Sequence, residues 1–508
     1  MNSQNHNRKL PPWAHLFLLT PQALVLAGCA VGPDFQRPAS PAVTGYTSTA
    51  LPAVTVASPG IHGTQQQFVT AAVPIEWWKE LHSHKLTRLI DQALVTSPTL
   101  AAAQATLRQA EQSYVALSGS TQLPQVNAKL SGQRQGTNTA AAGMPDGERT
   151  YGLYSATVAV GYDLDLAGGN RRALEALAAQ VDYQSYQFEG ARLTLASNLA
   201  LTAITQAQLT SQIDATETLV QAQVAQLGLT RKRVELGVGT QQEVLALQTQ
   251  VEQTQAGLPV LRNKKEQTRH LLAVLVGQAP GDASAPSFEM MDFSLPMSLP
   301  VSVPSELVRR RPDVRASEAL LQAASAQYGV TVAKLYPQLT LTASLGSQAL
   351  TTASLFGAGS MIWNLGGQLA QPLFNPGLKA NAKAAEAGLE AAEANYKQTV
   401  LQSLRNVADV LRTLESDAQA QQSLESATVS AQESLQLVRQ QYALGAASYL
   451  QLLQSQQQAQ QTLINVLELR ARRLVNTVTL YQAMGGGYAE PSRKDRVGWH
   501  ATQSSGGT

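Results

Sequence analysis

Two stretches, PTLAAAQATLRQAEQSY at Pro98–Tyr114 and PDVRASEALLQAASAQY at Pro312–Tyr328, are one passage written twice, and they decide the fold. Pro98, Ala102, Ala105, Leu107, Ala110 and Tyr114 match Pro312, Ala316, Ala319, Leu321, Ala324 and Tyr328 at a constant offset. Pro124-Gln125 returns as Pro337-Gln338. Further along, Leu236-Gly237, Leu245, Gln248, Arg262, Leu272 and Gly277 return as Leu444-Gly445, Leu453, Gln456, Arg470, Leu480 and Gly485. A solenoid unit is roughly 20–50 residues long, and this repeat is far longer. The chain is a duplicated half-molecule, so two similar interlocked halves are expected within its 508 residues.

The formal net charge of +2 implies no polyanionic partner, and nucleic acid is not expected. Charged residues make up 14%, against about 25% in ordinary soluble domains. Ala, Gln, Ser and Thr fill the difference, a composition suited to long, closely packed helices with wet but weakly charged faces.

The single cysteine, Cys29, excludes an intrachain disulfide. Arg8 and Lys9 precede an apolar stretch, Trp13 to Leu26, that ends in Leu26-Ala27-Gly28-Cys29. A charged start, an apolar middle and small residues before a cut read as a secretory signal over 1–28. The ending resembles the bacterial lipobox, which makes Cys29 the expected lipidated first residue of the mature chain. Covalent acyl chains, as palmitate or its like, anchor at about 0.8 kcal/mol per buried CH₂. Beyond Cys29 no apolar run reaches the roughly 18 residues that a membrane helix needs, so any span must be a β-barrel.

Residues 29–75 read as an extended N-terminal strap, rich in Pro, Ser, Thr and Ala, and order begins near Trp77-Trp78. The first repeat occupies 76–277. Short helical patterns at Leu86 to Ala93 and Thr99 to Leu117 lead to strands over about 124–166. Tyr154, Ala156, Val158, Val160, Tyr162 and Leu164 fall on one face of a period-two pattern, and Ser155, Thr157 and Asp163 on the other. Gly136 to Gly147 reads as the loop between the two strands. Residues 278–304 form a linker. The second repeat, 305–487, carries strands over about 337–374, with Trp363, Leu365, Leu369 and Leu373 on one face. Each half therefore supplies a hairpin of strands long enough for the roughly 9–11 residues that cross a bilayer. The tail, 488–508, is expected to be disordered.

A helical hairpin follows each strand hairpin, over about 171–276 and 379–484. Arg171 to Leu236 contains no Pro, and Leu174, Leu177, Val181, Phe188, Leu195 and Leu199 keep the steps of a coiled-coil seam. At ~1.5 Å per residue such a helix approaches 100 Å. Gly237 and Gly445 suit the left-handed turn that ends a helix. Thr240-Gln241-Gln242-Glu243 and Ser448-Tyr449-Leu450-Gln451 read as capping boxes that start the return helices.

These residues resemble the outer-membrane factor (TolC-like) family, in its lipoprotein branch of NodT type. The resemblance rests on Cys29-Ala30-Val31-Gly32-Pro33-Asp34-Phe35 with Arg37-Pro38, on Trp77-Trp78, on Arg309 to Arg315, on Tyr336-Pro337-Gln338 and on Gly485-Gly486-Gly487. It covers Cys29 to about Gly487. It implies an α+β membrane protein: a homotrimer in which each protomer gives four strands to one twelve-strand transmembrane barrel, continued by a periplasmic α-helical barrel. Four strands alone cannot close a barrel when roughly eight are the minimum, so oligomerisation follows if they span a membrane. The resemblance further implies a passive exit duct for small molecules in the outer membrane of a Gram-negative bacterium. Its partners are a periplasmic adaptor and an inner-membrane pump, commonly of the resistance–nodulation–division type.

By the same resemblance Leu236, Gly237 and Thr240, with Leu444, Gly445 and Ser448, form tips that contact the adaptor. Glu243, Gln451 and Gln454 occupy the aperture positions. Helix capping by itself also explains the glycines and hydroxyls, and Glu243 is either a capping carboxylate or part of a three-fold ring. His82-Ser83-His84 supplies two histidines where zinc needs three or four ligands, so no metal is expected. Arg309 to Arg311 reads as a solvated charge run. No P-loop, HExxH or GxSxG motif occurs, so neither a catalytic site nor a cofactor beyond the Cys29 lipid is expected. Two rivals remain at this level: a structural coiled-coil lipoprotein without a pore, and a duct for protein secretion or metal efflux.

Overall fold

In the computed structural model of the chain, the structure describes residues 30–39, 41–60, 62–138, 148–281 and 286–488, without the side chains of 138, 148 and 149. In chain order the elements are β1 (Gln67–Val69), α1 (His84–Thr96), α2 (Pro98–Gln122), β2 (Gln125–Asn138), β3 (Glu148–Leu164), α3 (Gly169–Glu235) and α4 (Gln241–Val276). Then come β4 (Ser298–Pro300), α5 (Pro304–Arg310), α6 (Pro312–Ala333), β5 (Gln338–Ala349), β6 (Met361–Ala370), α7 (Pro376–Ala443) and α8 (Tyr449–Ala483). They belong to two compact units. Of the described residues, one is drawn from 30–37, 107–183 and 317–396, the other from 38–106, 184–316 and 397–488.

The first unit holds an antiparallel sheet in the order β2-β3-β5-β6. Each repeat contributes one hairpin, and β3 joins β5 across the repeat boundary. The strands are 10 to 17 residues long, as the alternating pattern requires. Two boundaries differ from the sequence reading. β2 continues to Asn138, so Gly136 to Asn138 are strand, and the rest of the expected loop, 139–147, lies outside the described residues. β6 stops at Ala370 although apolar alternation runs to Phe374. Pro372 has no N–H for a ladder, and Pro376 supplies the fixed φ that opens α7.

The second unit holds the main core. Trp77 and Tyr481 stack at 5.5 Å, and Trp78 meets Trp77 edge-on at 5.8 Å. Ser83 caps α1 by accepting from the Leu86 N–H, which gives the middle residue of His82-Ser83-His84 a structural role. The segment between the repeats is not a loose linker. Phe288, Phe293 and Leu299 are buried, and β4 pairs in parallel with β1. Pro259 sits inside α4, which the helix tolerates without breaking.

Two further expectations are corrected here. Arg311 is not on a solvated face. It is buried, donates from Nε and Nη2 to Asp313, and donates from Nη1 to the Ala483 carbonyl at 2.7 Å. Its guanidinium thereby ties the start of the second repeat to the end of α8. Tyr488 is not disordered: its ring packs edge-on against Tyr186 at 6.0 Å. The rest of the expected tail, 489–508, lies outside the described residues. Before Tyr488, Gly485, Gly486 and Gly487 all take positive φ. A Cβ on Gly486 would lie 2.1 Å from Leu193, and one on Gly487 2.2 Å from the Pro74 carbonyl, so glycine alone fits that passage.

Candidate functional site

The sheet has two chemically different faces. Antiparallel partners share a face, so the register can be read across all four strands. One row is Ala128, Val158, Leu345 and Trp363, and the next is Val126, Val160, Ala343 and Leu365. The alternate rows are Lys129, Thr157, Gly346 and Ile362, then Asn127, Ala159, Ser344 and Asn364. Two hydrogen bonds confirm the polar side: the Ser131 and Ser155 hydroxyls lie 2.7 Å apart, and the Thr340 hydroxyl donates to Asp163 at 2.7 Å. Among the described residues the apolar side is left largely exposed. Trp363 is 74% exposed and Leu365 77%. Among the described residues β2 and β6 each pair on one side only, so the sheet has two open edges there. Among the described residues no helix is long and apolar enough to cross a membrane.

The residues after Cys29 are pinned close to this sheet. Cys29 itself lies outside the described residues. Val31 N–H donates to the Ala167 carbonyl at 3.0 Å, three residues past the end of β3. The buried Arg172 donates to the carbonyls of Val31 and Gly32 and to Asp34. Gly329, near the end of α6, passes so close that a Cβ on Gly32 would lie 2.7 Å from its Cα. The start of the strap is thus fixed where strands give way to helices. Farther along, Arg473 fixes the strap again. Fully buried, it donates to the carbonyls of His62 and Thr64 and to the side chains of Gln421 and Gln66.

At the far ends of α3 and α7 the two turns are the same. Gly237 N–H bonds to the Val234 carbonyl and Val238 N–H to Arg233, while Gly445 N–H bonds to Tyr442 and Ala446 N–H to Gln441. This is a Schellman closure with glycine at φ of 75° and 76°. Thr240 and Ser448 then cap α4 and α8. The caps differ in one respect. At Ser448 the box is complete, since Gln451 N–H meets the hydroxyl and the Gln451 side chain accepts from Ser448 N–H at 2.7 Å. Thr240 accepts from Glu243 N–H, but the Glu243 carboxylate does not return to the cap. It accepts from the Tyr442 hydroxyl at 3.3 Å instead. The expected capping box at the first tip is therefore only half made, because a partner on the other hairpin holds the carboxylate.

That contact joins four helix ends. Arg233 ends α3 and lies over the Tyr442 ring at 4.8 Å; Tyr442 ends α7. Glu243 starts α4, and Tyr449 starts α8 edge-on to Tyr442 at 6.4 Å. Burial, then the neighbouring Glu243 charge, pushes the Tyr442 phenol up from its ordinary value, which keeps it a donor. Sequence reasoning missed Arg233, Tyr442 and Tyr449. The one usable signal was that an aromatic or a cation stands beside each tip in both repeats. Gln451 is occupied by its cap, and Gln454 is exposed. Leu236 and Leu444 stand out from the turns, at 78% and 85% exposed.

A model of the family described as "Outer membrane efflux protein" matches residues 89–278 and 303–486, the two repeats. The chain is 31% identical over 421 residues to the pyoverdine export outer membrane protein OpmQ of Pseudomonas putida, covering 82% of this chain and 89% of that one. It is 30% identical over 490 residues to the toluene efflux pump outer membrane protein TtgC of the same species, covering 94% and 96%. The crystal structure of the Campylobacter jejuni CmeC outer membrane channel superposes with a TM-score of 0.83 at 20% identity, over 94% of this chain and 98% of that one, and so shares the fold. The chain belongs to the outer membrane efflux protein family, and its role is that of an outer-membrane efflux duct.

Proposed function

We propose that three copies close one twelve-strand barrel, β6 of each pairing with β2 of the next. The observation that carries this is the four-strand sheet with two open edges, one apolar face and one polar face. An open edge in hydrocarbon leaves backbone groups unpaired at several kcal/mol each, and closure is the only remedy. The apolar rows then face lipid and the Lys129 and Asn127 rows face the lumen. A poreless fibre has no use for such a sheet.

Cys29 carries the lipid in this reading. The strap beyond it starts at the strand–helix junction, so acyl chains on Cys29 need little slack to reach the bilayer. The tips meet a periplasmic adaptor through Leu236, Leu444 and the turns at Gly237 and Gly445, and the adaptor joins an inner-membrane pump of the resistance–nodulation–division type. The cluster of Arg233, Glu243, Tyr442 and Tyr449 holds the two hairpins of one protomer together at that end. Glu243 acts in this link rather than as a free ring of carboxylates. The cargo is small molecules, the class to which the pyoverdine and toluene of the relatives' names belong. Native mass spectrometry of protein extracted from outer membranes tests the assembly and the anchor together. Trimers whose chains begin at a lipid-bearing Cys29 are expected; monomers, or chains with an unmodified start elsewhere, would contradict the proposal.

A further inference from the structure

The described side chains of the sheet's polar face are almost free of charge. Among the described side chains it carries two formal charges, Lys129 on β2 and Asp163 on β3. They lie at different heights. Lys129 is level with Thr157, and Asp163 is six residues farther along β3, about 20 Å at strand rise. Asp163 sits next to the strand–helix junction and accepts from Thr340. At the height of Lys129 the other three strands present Thr157, Gly346 and Ile362, none of them acidic. The residues before and after it on the same face, Asn127 and Ser131, are neutral. Among the described residues Lys129 has no ion-pair partner, and its side chain is exposed.

We infer that Lys129 sets the charge preference of the membrane conduit, favouring anionic permeants over cationic ones. The inference rests on the proposed barrel, in which the polar face lines the lumen. Twelve strands about 4.8 Å apart and tilted about 40° make a backbone circle of roughly 12 Å radius. A lysine stem of about 6 Å brings each ammonium to roughly 6 Å from the axis. Three copies at one height therefore act together. The screening length is ~10 Å at 0.1 M salt, so their field reaches the axis; at 1 M it is ~3 Å, and the field does not. Three unit charges at that range in water raise the local anion concentration roughly sevenfold at the lower salt and much less at the higher. The neutral amides, hydroxyls and glycines around Lys129 neither oppose nor reinforce it, so at this height the preference falls to Lys129.

The test is the reversal potential of purified full-length protein in planar lipid, under a potassium chloride gradient around ~0.1 M and again around ~1 M. Wild type is compared with Lys129→Gln and Lys129→Glu, after size-exclusion chromatography has shown that each assembles as wild type does. At the lower salt Lys129→Gln should lower the chloride-to-potassium permeability ratio several-fold, and Lys129→Glu should carry it below unity. At the higher salt the three should converge. Lys129→Met keeps the stem and lacks the charge, so it replaces Lys129→Glu if that variant does not assemble. Equal reversal potentials for wild type and Lys129→Gln at the lower salt, with conducting pores in both, would overturn the assignment while leaving the duct intact. Inserted trimers that conduct no ions at all would remove both the barrel reading and this one.

Discussion

Arg473 shows how a buried charge is held without a carboxylate in contact. Its hydrogen-bond partners are neutral oxygens, two of them strap carbonyls, and burial pushes it down to about 10, still protonated at neutral pH. An unpaired buried ion is costly, so the strap acquires a fixed seat. His62 lies in the same strap, in a left-handed conformation with φ of 60° and buried, its ring N–H donating to the Met290 carbonyl at 3.1 Å. Burial first, and then the charges of Arg470 and Arg473, lower it to about 4 from 6.5. The neutral ring is the form that fits. Its contribution is complete above pH 6.5 and is lost as pH falls through about 4, by up to about 3 kcal/mol. The protection factors of the strap amides, taken against the intrinsic exchange rate at each pH, should therefore fall over that interval. His62→Asn, which tolerates the left-handed backbone, should abolish this pH dependence. An unchanged acid dependence in the variant would assign it to another group. Neither seat was legible in the sequence, because His62 and Arg473 are 411 residues apart and leave no local pattern.

The strands and helices themselves were legible, because their evidence is local. A period of two marked β3, β5 and β6 and already separated the faces that the register joins into continuous rows. Glycine followed by a hydroxyl marked both tips. What failed was the destination of particular side chains: Arg311 turned inward to Ala483, Glu243 crossed to Tyr442, and Phe288 and Phe293 gave the linker a core. Each depends on a partner from another element. Two predictions belong at this scale. Val158 and Thr157 are adjacent on β3 but lie on opposite faces. Val158→Arg should cost about 2–4 kcal/mol at the bilayer midplane and reduce trimer yield, whereas Thr157→Arg should assemble. Equal yields would show that the faces are misassigned. At the tips, no heavy atom lies within 4 Å of a Cβ built on Gly237 or Gly445. A side chain there meets only the left-handed backbone cost of roughly 1–2 kcal/mol. Gly237→Trp or Gly445→Trp should leave trimer and insertion intact while reducing export in cells. Export at the wild-type level would leave the turns with capping as their sole role.

For the whole molecule, duplication is the governing fact. A unit of strand hairpin and helical hairpin, doubled, yields among the described residues a four-strand sheet and four long helices, with two sheet edges and an apolar face left open. Family membership gives the duct role, and the unsatisfied sheet gives the physical reason for assembly. Single-channel recording of the purified full-length protein in planar lipid tests that link most directly. Discrete conductance steps of uniform size are expected, present when the protein is trimeric and absent when Val158→Arg blocks assembly. Trimers that insert and yield no steps, or steps of the same size from a species that is not trimeric, would contradict that link.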